Sequence, residues 1–194
     1  MTRRNNPLPR FQRLLSRAKK TGLREPAAMI LATADPQGRP SVRTVLLKEV
    51  DARGFAFYTN LRSRKGRELA ANPRAALCFY WEPLEAQVIV EGGVKPISRR
   101  EADAYWATRP RESQIAAWSS LQSKPLSRRT LLLARFARYA RRFAGRPVPR
   151  PPDWAGLRVV PDRIEFWRRR PFRLHERQLY VRQGSRWKVR RLYP

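Results

Sequence analysis

The sequence contains very few of the residues that build disulfide frameworks and metal centres. It has one cysteine, Cys78, and one histidine, His175. A single cysteine cannot form an internal disulfide and one histidine cannot supply a cluster of metal ligands, so no metal site is expected. No apolar run approaches the roughly 20 residues that cross a bilayer, so no membrane partner is expected. The basic N-terminus has no apolar segment of the signal-peptide type, which favours a cytoplasmic protein.

Acidic residues are also scarce. Lys and Arg number 43 against 15 Asp and Glu, which gives a formal net charge of +28. The segment from Ser113 to Pro152 has no acidic residue, and four arginines between positions 135 and 142 share one side of a helix predicted over 127–144. Two interpretations are open, a nucleic-acid-binding stripe or a solvated face. Because no nucleic-acid-binding motif accompanies the arginines, we favour the solvated face and expect no specific nucleic-acid partner.

Common catalytic motifs are missing as well. The chain has no G-x-G-x-x-G, no Walker P-loop, no C-x-x-C and no G-x-S-x-G sequence. These absences exclude the usual nucleotide-binding, redox-thiol and serine-hydrolase patterns. If the protein is an enzyme, a bound organic cofactor is therefore expected to carry the difficult chemical step.

What is present predicts a β-rich protein. Strands are predicted at 28–34, 41–50, 55–59, 75–81, 87–97, 157–160, 163–167, 178–183 and 187–192. Helices are predicted at 11–20, 64–71, 99–108, 112–119 and 127–144, with Ser63 and Ser98 as N-caps of two of them. Many closely spaced strands without alternating helices predict a mainly β (α+β) barrel with inserted helices. We assign residues 1–23 to an N-terminal arm and short helix, and residues 24–194 to one domain.

The stretch from Ser41 to Lys65 concentrates cationic groups on a short piece of scaffold. Arg43 and Lys48 flank an apolar run in its first strand, and Arg64 and Lys65 open a helix. The N–H groups at a helix N-terminus favour an anion, arginine can fork onto a phosphate, and lysine adds a point charge. Five residues of one strand span about 17 Å, so Arg43 and Lys48 are expected to serve different ends of a ligand.

Several short motifs occur in a fixed order. They are R-T-V-L-L-K at 43–48, F-Y-T-N at 57–60, S-R-K at 63–65, N-P-R at 72–74, R-P-R-E-S-Q-I at 109–115, Q-S at 122–123, I-E-F-W at 164–167 and R-L-H-E-R at 173–177. Together they closely resemble the pyridoxamine/pyridoxine 5′-phosphate oxidase family, over about residues 24–194. The resemblance implies an FMN-binding split β-barrel that works as a homodimer with FMN at the interface. It also implies oxidation of pyridoxamine or pyridoxine 5′-phosphate to pyridoxal 5′-phosphate, with hydride passing to FMN and O₂ reduced to H₂O₂.

The resemblance assigns the FMN contacts position by position. The matching residues are Arg43, Thr44, Val45, Leu46, Leu47, Lys48, Tyr58, Thr59, Arg64, Lys65, Gln87, Gln122, Ser123, Trp167 and Arg177. For Arg64 and Lys65 the physical argument agrees, because both lie in the first turn of a predicted helix. Taken alone, Trp167 would be interpreted as an ordinary core aromatic residue.

The resemblance also assigns a substrate site. Its phosphate would be held by Lys48, Tyr105, Arg109 and Ser113, and the segment Arg173, Leu174 and His175 would close over the pyridine ring. Arg173 and His175 are the expected catalytic residues, which orient the substrate and favour its reactive protonation state. Alternation along an extended segment places them on one face and Leu174 on the other. A strict general-base role for His175 does not follow from the sequence, and a surface histidine is the alternative.

Two other functions stay open at this point. The first is a related split-barrel flavin oxidase that acts on another compound, as phenazine-pathway oxidases do. The joint presence of the phosphate and ring-closing residues favours the vitamin B6 substrate over that alternative. The second is a non-enzymatic nucleic-acid-binding protein, which would bind no flavin and would lose affinity steeply as salt rises.

Overall fold

The computed structural model describes residues 6–194, and that part of the chain contains nine strands and five α-helices. The strands are β1 (Ala28–Ala34), β2 (Pro40–Leu46), β3 (Glu49–Asp51), β4 (Gly54–Asn60), β5 (Arg74–Trp81), β6 (Ala86–Pro96), β7 (Trp154–Arg168), β8 (Glu176–Gln183) and β9 (Arg186–Leu192). The helices are α1 (Leu8–Ala18), α2 (Arg64–Ala71), α3 (Arg99–Ala107), α4 (Arg111–Ser119) and α5 (Arg129–Arg142). The predicted mainly β architecture with inserted helices is confirmed. Residues 1–5 of the predicted N-terminal arm lie outside the described residues.

The sheet curls so that its two ends meet. Its antiparallel strands follow the order β2-β1-β5-β6-β7-β4-β3, and β8 and β9 extend from β7. β2 and β3 stand at opposite ends of this order, yet only Leu47 and Lys48 separate them along the chain. The Leu47 amide donates to the Ala27 carbonyl on one side, and the Lys48 amide donates to the Ala56 carbonyl on the other, each at 2.9 Å. The chain therefore crosses from one end of the sheet to the other, which closes the curl into a barrel.

This crossing corrects the prediction of a single strand over 41–50. β2 ends at Leu46 and β3 begins at Glu49, so Arg43 and Lys48 do not lie on one straight strand. The interruption has a packing cause, because the Leu47 side chain enters the core with 6% of its surface exposed. The chain must change direction between Leu47 and Lys48, because the Leu47 amide bonds beside β1 and the Lys48 amide bonds to β4.

The prediction of two separate strands at 157–160 and 163–167 is also wrong, because β7 runs unbroken from Trp154 to Arg168. Pro161 suggested a turn, since proline cannot donate a ladder hydrogen bond. In the structure it pairs with Gly92 where the register of β6 shifts by a bulge. A Cβ on Gly92 would lie 2.0 Å from the Val160 carbonyl oxygen, so only glycine fits opposite the proline.

The main core lies inside the barrel and includes α1. Apolar residues recur at helical spacing in α1, and Leu8, Phe11, Leu15 and Ala18 are buried. The Phe11 ring packs edge-on against Phe55 and against Phe79, each at 4.8 Å between ring centroids. Burial of such a ring contributes about 1.5–3 kcal/mol, so α1 is an integral part of the core. The helix begins at Leu8, earlier than predicted, with Pro7 as its N-cap and Pro9 in its first turn, where a missing N–H is tolerated.

The predicted helix caps are confirmed. Ser63 accepts a hydrogen bond from the Gly66 amide, and Ser98 accepts one from the Glu101 amide, each at 3.2 Å. A second hydrophobic cluster joins α3, α4 and α5 to the start of β7, and its buried members are Trp106, Ile115, Phe143, Val148 and Trp154. α5 itself has no buried residue, as expected for its arginine-rich face. Within residues 6–194, no helix is long and apolar enough to cross a membrane.

Candidate active site

A cavity of about 720 Å³ lies between the barrel and the helical cluster. The strands and the β2–β3 crossing line it with Thr44, Val45, Leu46, Lys48, Tyr58, Thr59, Asn60 and Trp154. The helices and their connections line it with Lys65, Tyr105, Thr108, Arg109, Pro110, Ser113, Ala116, Ala117, Ser120 and Gln122. The volume is typical of cofactor and ligand sites, which measure about 300–1,000 Å³.

Three aromatic rings of the cavity lining stack on one another. Tyr58 lies 4.2 Å from Tyr105 and 4.9 Å from Trp154 between ring centroids, and each pair is nearly parallel. Burial raises the pKa of Tyr58, with a smaller contribution from nearby carboxylates, so its hydroxyl stays protonated at neutral pH. Gly156 on β7 leaves room for this stack, since a Cβ there would lie 2.6 Å from the Tyr58 Cε1 atom.

Arg109 presents an unsatisfied donor in this cavity. Its Nη2 atom donates to the Ser113 carbonyl oxygen at 3.4 Å. Its Nη1 atom is buried and is the one buried side-chain nitrogen or oxygen in the described part of the chain without a hydrogen-bond partner. The guanidinium also lies over the Trp154 ring, 4.9 Å from its centroid. Burial lowers the pKa of Arg109, which nevertheless stays charged. An unpaired buried donor of this kind is suited to an anionic ligand.

Lys65 supplies a second cation to the same cavity. Its residue surface is 9% exposed, and its Nζ atom donates to Gln122 Oε1 at 3.0 Å. The Thr59 hydroxyl donates to the same oxygen at 3.3 Å. Burial, and then the charge of Arg43, lower the pKa of Lys65. Lys65 and its hydroxyl and amide neighbours therefore form a second place where an anion would be stabilised.

Arg43 and Arg64 are not among the residues that line the cavity, and both bind Glu68. This carboxylate lies one turn after Arg64 in α2 and is 5% exposed. It accepts from Arg64 Nε at 2.8 Å and from Arg43 Nη2 at 3.2 Å. The hydroxyls of Thr33 and Ser41 donate to it as well. Burial alone would raise the pKa of Glu68, but these hydrogen bonds outweigh burial and lower it to about 2.

A second group of predicted site residues lies on three neighbouring strands. Gln87 pairs with Trp167, and Trp167 pairs with Arg177, in the registers of β6, β7 and β8. Arg177 Nε donates to Glu165 Oε1 at 2.7 Å, which fixes the guanidinium on this surface. The His175 ring lies 4.7 Å from the Trp167 indole between centroids. These residues form one cluster, and none of them lines the cavity.

The segment that leads into this cluster is exposed and forms a strained turn, so the predicted extended alternation of Arg173, Leu174 and His175 is wrong. Phe172 and Arg173 have φ values of 57° and 60°, a left-handed conformation that costs about 1–3 kcal/mol per residue outside glycine. Phe172 is 91% exposed and Leu174 is 67% exposed. The Arg170 amide donates to His175 Nδ1 at 3.2 Å, so neutral His175 carries its proton on Nε2. The segment therefore presents the predicted ring-closing residues away from the protomer's core.

The structure thus places the predicted residues in different parts of the protein. Eleven of them line the cavity, namely Thr44, Val45, Leu46, Lys48, Tyr58, Thr59, Lys65, Tyr105, Arg109, Ser113 and Gln122. Arg43 and Arg64 join the Glu68 network, Leu47 lies in the core, and Ser123 is exposed beside Gln122. Gln87, Trp167, Arg173, Leu174, His175 and Arg177 belong to the second cluster or its approach. Sequence reasoning missed Trp154 and Glu68, although the i, i+4 spacing of Glu68 from Arg64 was a usable signal.

Two models of known protein families match this sequence. Residues 15–168 match the family model described as "Pyridoxamine 5′-phosphate oxidase". The chain belongs to the pyridoxamine 5′-phosphate oxidase family. Residues 154–194 match "Pyridoxine 5′-phosphate oxidase C-terminal dimerisation region", which includes the second cluster apart from Gln87. The family resemblance seen in the motifs is therefore confirmed.

Individual relatives agree with this assignment. A pyridoxine/pyridoxamine 5′-phosphate oxidase of Myxococcus xanthus (strain DK1622) is 56% identical over 97% of this chain and 92% of its own. The protein of the same name from Rubrobacter xylanophilus is 58% identical over 97% of this chain and 87% of its own.

Solved structures share the fold. PhzG from Burkholderia lata, in complex with tetrahydrophenazine-1-carboxylic acid, has a TM-score of 0.92 and 36% identity, covering 97% of this chain and 93% of its own. A pyridoxamine 5′-phosphate oxidase-related, FMN-binding protein from Nostoc punctiforme has a TM-score of 0.79 and 20% identity, with 98% coverage of each chain. The predicted split-barrel fold is confirmed.

Proposed function

We propose that this family member is an FMN-dependent oxidase that converts pyridoxamine 5′-phosphate or pyridoxine 5′-phosphate to pyridoxal 5′-phosphate. One observation carries the proposal: a single cavity contains two separate cationic groups, the buried Lys65 and the half-buried Arg109, whose Nη1 atom is buried. FMN and the substrate each bring one phosphate, so a site for both needs two such groups. The names of the relatives, which share more than half of their residues with this chain, point to the same reaction.

The residues around Lys65 fit the cofactor. Lys65 donates to the Gln122 amide oxygen, which also accepts from the Thr59 hydroxyl. Ser63 caps the helix so that Lys65 lies in the first turn of α2, where backbone N–H groups favour an anion. Thr44 and its neighbours on β2 add polar and apolar lining. FMN bound there would supply the redox chemistry, as the acceptor of a hydride from the substrate and the donor of electrons to O₂, which is reduced to H₂O₂.

The residues around Arg109 fit the substrate. The unpaired Nη1 atom of Arg109 would gain a charge-assisted hydrogen bond from a phosphate, and Ser113 lies on the next turn of chain. The Lys48 ammonium lies 6.0 Å from the centre of the Tyr105 ring, so a second cation reaches the same part of the lining. These groups bind and orient the phosphate, which leaves the reactive end of the substrate to other residues.

We also propose that the protein acts as a homodimer in which each cavity is completed by the partner copy. Arg173 and His175 lie outside their own cavity, within the segment that matches a dimerisation region. His175, with its proton on Nε2, would donate a hydrogen bond to the substrate, and Arg173 would orient the ring. Gln87, Trp167 and Arg177 would contact the flavin of the partner's cavity in the same way.

A complementation experiment tests this composite site. Lys65→Met and His175→Ala variants, each expected to have low activity alone, are mixed under conditions that exchange subunits. Each mixed dimer retains one intact cavity paired with one intact His175, so random mixing should restore roughly a quarter of wild-type activity. If each protomer used its own His175, no activity would return, and the composite site would be wrong.

The related phenazine-type oxidase is the second candidate, favoured by the TM-score of 0.92 to PhzG from Burkholderia lata. The two candidates differ in their substrates, because the vitamin B6 substrate has a phosphate and the phenazine compound has none. Arg109 is suited to bind that phosphate. The purified protein is therefore loaded with FMN and given pyridoxamine 5′-phosphate, pyridoxine 5′-phosphate or tetrahydrophenazine-1-carboxylic acid in air. We expect pyridoxal 5′-phosphate and H₂O₂ in equal amounts from the first two. Turnover of the phenazine compound alone would favour the second candidate.

The nucleic-acid-binding alternative predicts a protein without flavin. The same preparation distinguishes it, because a colourless protein that does not bind added FMN would contradict both oxidase candidates. The solvated interpretation of the α5 arginines and the cytoplasmic location remain predictions from the sequence.

A further inference from the structure

A buried carboxylate stands next to the cations of the proposed cofactor site. Glu68 is 5% exposed, and its two oxygens accept hydrogen bonds from residues of β1, β2 and α2. A negative charge beside a site for a doubly charged phosphate is unfavourable for binding, since like charges repel. Glu68 is therefore expected to have a role other than a direct electrostatic contribution to phosphate binding.

The hydrogen bonds around Glu68 run from Arg43 through two hydroxyl groups to the carboxylate. Arg43 donates through Nη1 to the Thr33 hydroxyl and through Nη2 to the Ser41 hydroxyl. Each hydroxyl in turn donates to Glu68 Oε2. Most of the Arg43 guanidinium is thereby committed to protein partners, and a third contact reaches the Leu31 carbonyl at 3.4 Å. The network joins the ends of β1 and β2 to α2.

Arg64 is held differently from Arg43. Its Nε atom donates to Glu68 Oε1 at 2.8 Å, while 59% of its side chain is exposed. Among the described residues, the two Nη groups of Arg64 have no protein partner, so both remain available to an anion. A carboxylate that binds Nε alone fixes the guanidinium plane without occupying the fork that binds phosphate.

The same network also fixes Lys65. This residue follows Arg64 in α2, and its ammonium reaches the cavity only if the first turn of α2 keeps its place against β2. Glu68 offsets the mutual repulsion of Arg43, Arg64 and Lys65 while no phosphate is bound. We infer that Glu68 is a positioning residue for the phosphate of FMN, which keeps Arg64 and Lys65 oriented before the cofactor arrives. The inference rests on the proposed function, because it assigns this end of the cavity to FMN.

The test compares two flavins that differ only in the phosphate. Dissociation constants of FMN and riboflavin are measured by flavin fluorescence for the wild type, Glu68→Gln, and Asp162→Asn as a matched control. Asp162 forms an exposed ion pair with Arg74 at 2.8 Å, so its variant loses the same charge without removing a hydrogen bond of the Glu68 network. We expect Glu68→Gln to bind FMN about tenfold more weakly or worse, and riboflavin within about twofold of wild type. The control should bind both flavins normally.

Two outcomes would overturn the inference. FMN binding that is unchanged or tighter in Glu68→Gln would mean that the carboxylate does not position the phosphate site. Equal weakening of FMN and riboflavin would mean that it serves only the fold. If Glu68→Gln does not fold, Thr33→Val removes one hydroxyl and keeps the charge, and should weaken FMN alone by about threefold. Failure of the wild type to bind FMN would instead contradict the proposed function.

Discussion

Arg109→Met should separate substrate binding from cofactor binding. Methionine has a similar length but no charge and no donor, so the buried Nη1 atom disappears. A hydrogen bond to a charged group contributes about 1.5–3 kcal/mol, which corresponds to a rise in KM for pyridoxamine 5′-phosphate of about 10- to 150-fold. Because the phosphate is bound equally in the ground and transition states, kcat should change much less.

The same substitution should have little effect on the free energy of unfolding of the ligand-free protein. Leaving a buried donor unpaired costs about 1–3 kcal/mol, and methionine removes that cost. The lost cation–π contacts of Arg109 with Trp106 and Trp154, at 5.2 and 4.9 Å, offset the gain by about 0.5–1 kcal/mol each. The two effects nearly cancel, so the variant should be as stable as the wild type although it binds substrate poorly.

The assay combines steady-state rates, FMN titration and thermal unfolding. Arg100→Met is the matched control, since Arg100 is exposed on α3 and has no side-chain hydrogen bond in the described residues. In Arg109→Met we expect a raised KM for pyridoxamine 5′-phosphate and an unchanged dissociation constant for FMN. In the control we expect neither to change. A normal KM, or a loss of FMN affinity as large as the rise in KM, would refute the assignment of Arg109 to the substrate phosphate.

Three further predictions concern other parts of the site. Arg173→Ala and His175→Ala should each lower turnover while leaving FMN bound, and wild-type turnover in either variant would contradict its proposed role. Gly156→Ala places a Cβ 2.6 Å from the Tyr58 ring, so it should lower the free energy of unfolding by about 1–3 kcal/mol in denaturant titrations. The pKa of Glu68 is lowered from 4.5 to about 2, so its stabilisation is complete above about pH 4.5 and is lost as the pH falls through about 2. Acid unfolding should therefore be steeper below pH 4.5 in the wild type than in Glu68→Gln, and equal slopes would contradict the network.

Local signals in the sequence predicted the helices well. Ser63 and Ser98 cap their helices as expected, because an N-cap depends on a side chain and an amide three residues away. The hairpin of β8 and β9 follows from Gly184, which adopts a positive φ of 60° at the turn. Each of these features is determined by neighbours along the chain, so one sequence is enough to predict it.

Features that depend on distant strands were not predictable in the same way. The residues from Val45 to Val50 all suit a strand, and only the meeting of β2 and β3 around the barrel forces the crossing at Leu47 and Lys48. Similarly, Pro161 suggests a turn until the bulge at Gly92 on the neighbouring strand is known. Both errors come from sheet topology, which local propensity does not contain.

The candidate site shows the same limit. The motifs named the residues that line the cavity, yet they could not show that Arg43 and Arg64 are bound to a common carboxylate. Nor could they show that His175 lies outside the cavity, since chain order does not give the distance between segments in the fold. The Glu68 network and the separate cluster emerge only from the packing of β1, β2 and α2 and from the registers of β6, β7 and β8.

A single turnover without oxygen tests whether bound FMN oxidises pyridoxamine 5′-phosphate to pyridoxal 5′-phosphate. The FMN-loaded protein is mixed with an excess of pyridoxamine 5′-phosphate under argon, and the visible flavin absorbance and pyridoxal 5′-phosphate are followed together. The account predicts that the absorbance is lost as one pyridoxal 5′-phosphate forms per flavin, and that air restores the colour with release of H₂O₂. A flavin that stays oxidised with both the amine and the alcohol substrate would contradict it.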